Sequence, residues 1–343
     1  MRFLGCLLVA FAFWLGEFSG RGCELCAIYN AVGAQGNIDR GFAFNVSEQF
    51  TSLHTVQFQG HEVSFPNHDQ WDDSVTHVVP TWNFSDRLGV AANIPFVYRT
   101  FRRTELRYTQ VGAGVQTTFH TVTGTESGLG DAALVGRWTI WKKNTMKAGI
   151  FFNLLAGVKF PTGDTDRIRD EVDQVKLYNR LVGPGHPHDV LGVPVSSLHQ
   201  HELSAGTGSW DGVFGLTMNS RWRDWFFNDQ FQYYLRTDGE SSYRFGDMLI
   251  VSGGPGKYFS FGKTATLSVQ ANATYETQAR DRLFDVKSNH TGTTLWYFGP
   301  QILFTWGLHF SAQAAVDVPL RAANNGFQNV PDLRLRGGMS WRF

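Results

Sequence analysis

The sequence predicts an all-β fold: a transmembrane antiparallel β-barrel of about 12 strands, with short periplasmic turns and long outer loops. Three observations predict it: an export signal, long segments of alternating apolar and polar residues, and a last strand that ends on an aromatic residue. The composition agrees, since the 343 residues are 42% hydrophobic and 15% aromatic but only 17% charged. Soluble domains carry about 25% charged residues. The net formal charge of zero gives no electrostatic basis for binding nucleic acid.

The first residues have the layout of a secretory signal peptide. Arg2 supplies a positive charge, residues 3–15 form an apolar run, and residues 20–22 have the small-x-small pattern of a cleavage site. The apolar run is shorter than the roughly 20 residues of a membrane-spanning helix. We therefore predict a signal peptide over residues 1–22, a periplasmic N-terminal segment over 23–39 and an outer-membrane barrel over 40–343.

Alternation identifies the strands. Every second residue from Leu88 to Tyr98 is apolar, and the same period recurs over residues 146–160 and 264–276. This period is typical of a strand whose two faces contact different media. The predicted strands cover residues 40–51, 71–84, 87–99, 129–142, 146–161, 207–220, 222–236, 244–258, 264–277, 293–306, 308–320 and 331–343.

The connections between these strands alternate in length. Short turns are predicted near residues 85–86, 143–145, 221, 259–263 and 307. Longer connections are predicted over residues 52–70, 100–128, 162–206, 237–243, 278–292 and 321–330. Bacterial outer-membrane barrels have this pattern, because their periplasmic turns are short and their outer loops are long.

The closing strand carries a specific signal. Apolar residues alternate with polar or small ones from Leu333, and the chain ends on Phe343. Such an ending resembles the signal that the outer-membrane assembly machinery recognises. This machinery and outer-membrane lipid are therefore the expected partners, and the bacterial outer membrane is the expected location. One residue breaks the pattern: Asp229 falls among the outward positions of its strand, which predicts either a bulge or a position near the interface.

The inward positions are polar and mixed in sign, unlike the ring of one charge that an ion-selective filter would show. Two interpretations stay open: a narrow passage for small solutes, or a self-paired network that fills the barrel. The candidate lumen-lining residues are Asn93, Arg99, Arg137, Lys147, Lys159, Gln230, Arg236, Gln270, Arg334 and Arg336.

Glycine-rich segments at the ends of two strands carry a family resemblance. Residues 128–138 begin Gly-Leu-Gly-Asp, and residues 157–164 read Gly-Val-Lys-Phe-Pro-Thr-Gly-Asp. Both are similar to motifs of the outer-membrane channel family named for meta-pathway phenol degradation, as is the Gly-Thr-Gly-Ser-Trp-Asp stretch at 206–211. The resemblance implies a barrel that passes small solutes, including aromatic or hydrophobic compounds. It identifies neither the solute nor any functional residue.

Two cysteines, Cys23 and Cys26, lie at the predicted mature N-terminus. A periplasmic location favours a disulfide between them. Acylation of Cys23 and a metal-binding thiol pair are the alternatives. No histidine directly follows Cys26, so the pattern is not that of a c-type haem attachment site.

Histidines are concentrated in the predicted outer loops, above all in the third long loop. His186 and His188 form one pair there, and His199 and His201 form another. Imidazoles two residues apart on extended backbone point to the same side, where they can bind one divalent ion such as copper or zinc. Solvated loop residues without a ligand are the alternative interpretation.

The same loop contains a predicted helix. Over residues 164–182, four apolar residues recur at helical spacing among charged ones: Ile168, Val172, Val175 and Val182. Loops of this length in a barrel usually serve constriction or binding. We therefore expect this helix to lie over or within the mouth of the barrel.

Three functions remain as candidates. The first is a passive outer-membrane channel for small solutes, the second is a surface protein that captures copper or zinc through loop histidines, and the third is a closed structural barrel. Catalysis is not expected, because the sequence contains no Gly-x-Ser-x-Gly elbow, His-Glu-x-x-His motif or phosphate-binding loop. No cofactor is predicted apart from the divalent metal at the outer loops.

Overall fold

The structure is a computed structural model that describes residues 40–64, 69–112, 114–181, 183 and 196–343. The predicted signal peptide, the Cys23–Cys26 pair, His186 and His188 lie outside the described residues. The strands are β1 (Gly41–Leu53), β2 (Thr55–Phe58), β3 (His61–Glu62), β4 (Gln70–Asn83), β5 (Leu88–Val111), β6 (Gly114–Leu129), β7 (Ala133–Asn144), β8 (Ala148–Lys159), β9 (Asp211–Trp222), β10 (Trp225–Leu235), β11 (Tyr243–Arg244), β12 (Met248–Phe261), β13 (Ala265–Gln278), β14 (Arg282–Leu283), β15 (Val286–Lys287), β16 (Thr293–Trp306), β17 (Phe310–Asn324), β18 (Phe327–Val330) and β19 (Leu333–Arg342). The helices are α1 (Asp166–Leu181) and α2 (Gln200–Leu203), with a 3-10 turn at Glu240–Ser242.

The predicted barrel of 12 antiparallel strands is confirmed. Its order is β4, β1, β19, β17, β16, β13, β12, β10, β9, β8, β7 and β5, and pairing of β5 with β4 closes the ring. The first and last barrel strands are neighbours, with Val46 opposite Met339. Each of the predicted strands overlaps one strand of the ring, and the short turns fall where the alternation ends.

The hairpin of β5 and β6 differs from the prediction, which assigned residues 100–128 to a loop. β5 is 24 residues long. Residues 88–93, at its periplasmic end, pair with β7, and residues 96–111, at its extracellular end, pair with β6. β6 therefore continues the line of β7 beyond a break at residues 130–132. Its sequence is rich in threonine and has few apolar residues, because this part of the hairpin extends past the apolar layer.

The outer face of the barrel carries apolar and aromatic side chains, as expected of a face that contacts lipid. Aromatic side chains near the strand ends are exposed on this face, as in the interfacial girdles of outer-membrane barrels: Trp82, Tyr98, Trp138, Trp225, Trp306 and Trp341. Among the described residues, no helix has both the length and the hydropathy needed to cross a bilayer.

The bulge suggested for β10 is absent. Asp229 lies opposite Gly253 on one side and Met218 on the other, and the register is continuous with both neighbouring strands. It therefore shares the outward face of Phe227 and Phe231, which are both exposed.

A carboxylate on the lipid-facing side costs stability, so replacing Asp229 with leucine is expected to stabilise the barrel. The gain should be on the order of 1 kcal/mol in the free energy of unfolding, less than the value for a lysine at the bilayer midplane. Urea unfolding of the chain refolded in lipid vesicles measures it. The matched control is Asp224→Leu in the exposed turn before β10, which should leave stability nearly unchanged. Equal effects of both substitutions would contradict a lipid-facing Asp229.

Candidate functional site

The predicted lumen residues lie on the inward face of the barrel, with one exception. Asn93, Lys159, Arg236, Gln270 and Arg334 are buried, while Arg99, Arg137, Gln230 and Arg336 are half-buried at inward positions. The prediction that Lys147 lines the lumen is wrong. β8 begins only at Ala148, so Lys147 lies exposed in the turn that precedes it.

Most of the inward cations are paired with carboxylates of the wall. Arg334 donates to both carboxylate oxygens of Glu276 at 2.5 and 2.8 Å. Arg336 forms the same two-bond arrangement with Asp317 at 2.8 and 2.9 Å. Arg99 donates to Asp73 at 2.6 Å. Among the described residues, the polar wall is thus a network of neutralised pairs, with no ring of one sign that would select ions.

The glycine-rich segments meet around a buried lysine at the outer ends of β8 and β9. The Lys159 ammonium lies 2.6 Å from Asp131 and 2.8 Å from Asp211. Arg236 donates to Asp211 at 2.7 Å. The backbone N–H of Thr207 donates to Asp131 at 2.8 Å. We call Asp131, Lys159, Asp211 and Arg236 the lysine cluster; its two cations and two carboxylates balance in charge.

A close backbone contact explains two of the glycines beside this cluster. A Cβ atom on Gly163 would lie 2.6 Å from the Cα of Gly206, and one on Gly206 would be equally close to Gly163. The N–H of Gly206 donates to the Asp164 carbonyl at 2.8 Å. Any side chain at either position would therefore separate the two segments that hold Asp131 and Lys159 in place.

The inward face also has an apolar part that the sequence prediction of a polar lumen missed. Nine buried side chains from seven neighbouring strands form one cluster, which we call the apolar belt. Its members are Val79, Ala91, Ala133, Val135, Leu155, Val213, Tyr234, Met248 and Ile250. Val213 lies two residues below Asp211 on the same face of β9, so the belt begins on the periplasmic side of the lysine cluster.

Beside an open cavity of about 1230 Å³ between the outer loops at the rim, the described residues enclose two small cavities inside the barrel. One, of about 80 Å³, is lined by Gln230, Gln270 and Arg336 among others. The other, of about 70 Å³, lies between Arg99 and the residues of α2. Both are smaller than the roughly 150 Å³ cavity that accepts a benzene molecule in a protein interior. An aromatic solute therefore needs a wider lumen than this conformation offers.

The predicted helix in the third loop is confirmed as α1, and it packs into the mouth of the barrel. Its apolar side, formed by Ile168, Val172 and Val175, packs in one cluster with Tyr243, Phe245 and Leu283 of the neighbouring outer loops. This face is buried because it covers the apolar residues of those loops, as the helical spacing predicts.

Polar contacts fasten the first turn of α1. The Nε of Arg167 donates to Glu126 on β6 at 2.7 Å, and Arg169 lies 3.2 Å from Glu240 in the neighbouring outer loop. A hydrogen bond from the Thr165 hydroxyl, together with the Arg169 guanidinium, holds the pKa of Glu240 below its usual range. Glu240 is therefore ionised at neutral pH. The contacts with Glu126 and with Glu240 attach α1 to two sides of the mouth.

His199 and His201 lie inside the mouth, whereas the sequence placed them in an exposed loop. They are only 2% and 3% exposed. The flanking Leu198 and Leu203 pack against Leu53, Trp71 and Phe101 of the barrel wall and carry α2 inward. In the described part of the chain, His199 and His201 therefore do not form a metal-capture site on the surface.

Comparison with known proteins agrees with this architecture. No family model and no curated protein sequence matches the chain. Among solved structures, it is similar to the COG4313 outer membrane channel from Pseudomonas putida F1, with a TM-score of 0.57 and 13% identity over 90% of this chain and 98% of that chain. The chain has the fold of an outer-membrane β-barrel.

Two further solved structures align over most of the chain. They are the CymD monoaromatic hydrocarbon channel, with a TM-score of 0.41 and 9% identity over 96% of this chain and 95% of that one, and the Ralstonia pickettii toluene transporter TbuX, with a TM-score of 0.38 and 9% identity over 95% and 97%. The closed ring of strands and its exposed apolar outer face locate this protein in the bacterial outer membrane.

Proposed function

We propose that the protein is a passive outer-membrane channel for small, weakly polar solutes, including aromatic compounds. The observation that carries the proposal is the apolar belt on the inward face of the barrel. The side chains of the belt are buried against one another and close the lumen at this level; once the channel opens, they would offer an apolar surface beside which polar solutes lose hydration. An apolar solute gains about 25 cal/mol per Å² of surface that it removes from water there.

The proposal requires α1 to move during passage, since the lumen cavities are small and α1 occupies the mouth. The paired charges of the inner wall support it as well, because neutralised pairs leave no strong field that would draw ions through. In this scheme the helix is a gate, the lysine cluster fixes the wall beneath it, and the apolar belt is the surface that the solute contacts next.

The family resemblance supports the same proposal. The motif segments at 128–138, 157–164 and 206–211 converge on the lysine cluster, so the resemblance rests on residues that contact one another. We therefore propose membership of the channel family named for meta-pathway phenol degradation. The proposal also includes export by the signal peptide over residues 1–22, a disulfide between Cys23 and Cys26, and insertion by the barrel assembly machinery through the last strand, β19.

Influx of a hydrophobic probe across an intact outer membrane tests the proposed function. Lipid vesicles alone are unsuitable for this, because apolar solutes cross them unaided; a lipopolysaccharide outer leaflet slows such solutes. We expect cells of a Gram-negative host that express the protein to take up N-phenyl-1-naphthylamine faster than cells with an empty vector. Single-channel recordings of the refolded mature chain should show brief openings of low conductance. A folded barrel with neither openings nor probe influx would favour the closed structural barrel.

Leu155→Asn is expected to reduce probe influx several-fold, because it places a polar amide in the apolar belt without changing the side-chain size greatly. The matched control is Leu154→Asn, one residue away on the lipid-facing side of β8, where Leu154 is exposed. Influx is normalised to the amount of folded barrel in the outer membrane. The same loss in both variants would mean that the solute does not contact the belt.

A further inference from the structure

Three potential metal ligands meet where α1 and α2 lie together in the mouth. They are Glu171 of α1, His199 at the start of α2 and His201 within it, and all three are buried. One ligand atom of each lies within 4.8 Å of the others. Residue 171 is separated from residue 199 by the segment that leaves α1, so the folded loop brings together residues that the sequence keeps apart.

The distances within this group fit a small metal ion. The Nδ1 atom of His201 lies 2.7 Å from one carboxylate oxygen of Glu171, and the Nδ1 atom of His199 lies 4.0 Å from the other. With tetrahedral bonds of about 2.0–2.1 Å, two ligand atoms of a zinc ion are about 3.3 Å apart. The two measured histidine–glutamate distances lie on either side of this value, and the three ligand atoms lie within 4.8 Å of one another, so the spacing is close to that of a zinc site.

The short contact between His201 and Glu171 shows that this ring nitrogen faces the carboxylate directly. It is a hydrogen bond through a proton on Nδ1, and a metal ion bound by both groups would replace that proton. The Glu171 oxygen already accepts the backbone N–H of His201 at 2.8 Å. It is therefore held in place facing the imidazole.

A second carboxylate stands behind His201, on the far side of the ring. Its Nε2 atom lies 3.6 Å from Asp281. Asp281 is itself held by the Tyr243 hydroxyl at 2.7 Å and by the Gly246 N–H at 2.8 Å. A buried carboxylate behind a histidine is the arrangement that orients metal-binding imidazoles and raises their basicity.

The charges around the group also favour a cation. Glu171 and Asp281 are buried carboxylates beside the two imidazoles, and Glu202 accepts the backbone N–H of His199 at 2.6 Å. The buried Arg103 acts on Glu171 from β5, but it also faces Glu105 at 3.8 Å. One arginine leaves the surroundings negative, which suits a divalent ion.

We propose that Glu171, His199 and His201 bind one zinc ion, with an open coordination position and with Asp281 as the residue that orients His201. Two imidazoles and one carboxylate are a ligand set that zinc accepts. The ion would join α1 to α2 inside the mouth. This proposal concerns zinc binding alone, so its test is independent of the test of solute passage.

Calorimetric titration of the chelator-treated, refolded mature chain with Zn²⁺ tests the proposal. We expect one tight site per chain in the wild type. His201→Ala should abolish this site, and Asp281→Asn should weaken it by about 10–100-fold, as loss of an outer-shell partner does. The matched control is His61→Asn, which removes an exposed histidine of the outer loops and should leave the affinity unchanged.

X-ray absorption at the zinc edge, measured on the wild type, does not depend on any variant folding. It should show nitrogen and oxygen ligands at about 2.0–2.1 Å with the signature of two imidazoles. Glu171→Gln keeps the size of the side chain and provides a second variant, in which the affinity should fall at least several-fold. Absence of binding by the folded wild type would overturn the proposal. So would binding that survives both His201→Ala and Glu171→Gln, or that is lost only on replacing His186 and His188.

Discussion

Replacing Val172 with aspartate is expected to open the channel. Val172 is fully buried in the cluster that α1 forms with Tyr243, Phe245 and Leu283. A carboxylate at this position would have to be buried without a partner or would drive α1 out of the mouth. Burial costs several kcal/mol, whereas the ion pairs of Arg169 with Glu240 and of Arg167 with Glu126 are partly or fully exposed to solvent and hold α1 only weakly. We therefore expect α1 to leave, and single-channel conductance to rise several-fold.

A second helix variant separates the loss of packing from the added charge. Leu177→Asp places the same carboxylate on the exposed side of α1, where Leu177 is 39% exposed, and should conduct as the wild type does. Folding is checked by the migration of unheated barrel on a gel. If Val172→Asp folds and conducts no more than Leu177→Asp, α1 is not the element that closes the mouth.

The strands could be predicted because lipid and lumen impose a two-residue period on each of them. The same rule has a limit that Leu249, Ile250 and Val251 illustrate. Where consecutive residues are all apolar, as from Met248 to Val251, alternation does not tell which side of the strand is inward, and Met248 and Ile250 are found in the apolar belt. The belt was therefore missed, although all of its residues lie on correctly predicted strands or at their edges.

The pairing of the inner charges required the register between strands, which no local pattern contains. Lys159 was a lumen candidate on its own, but Asp131 and Asp211 come from segments 28 residues before it and 52 residues after it. The sequence did contain a signal for the positions of these aspartates, because each of them follows a glycine-rich stretch similar to the same channel family. The error at Lys147 has a local reason. The strand begins at Ala148, one residue after Lys147, so the Lys147 side chain is exposed in the preceding turn.

Burial in the outer loops depended on contacts that are distant in sequence. The polar segment around His199 and His201 predicts exposed side chains, yet Leu198 and Leu203 pack against the wall at Leu53 and Trp71. The mean hydropathy of so short a segment does not predict that two of its leucines pack against the barrel wall. The helical period of α1, by contrast, was visible because it extends over several turns.

Lys159→Met is expected to cause a large loss of stability in the barrel wall. The Lys159 ammonium is 1% exposed and is shared by two carboxylates that are also buried. Methionine fills a similar volume but leaves Asp131 without its cation, while Asp211 retains Arg236. Removing one partner of a buried pair typically costs about 3–5 kcal/mol. Urea unfolding in lipid vesicles should show this loss as a lower midpoint.

Two further variants identify the unpaired charge as the cause. Lys147→Met makes the same chemical change in the exposed turn before β8 and should leave the midpoint nearly unchanged. In Lys159→Met/Asp131→Asn the uncompensated carboxylate is neutral, so part of the lost stability should return, because a neutral amide is far cheaper to bury than an unpaired carboxylate. If Lys159→Met unfolds at the wild-type midpoint, the cluster does not stabilise the wall. If the double variant is less stable than Lys159→Met, the hydrogen bonds that Asp131 accepts from Gly163 and Thr207 matter more than its pairing with Lys159.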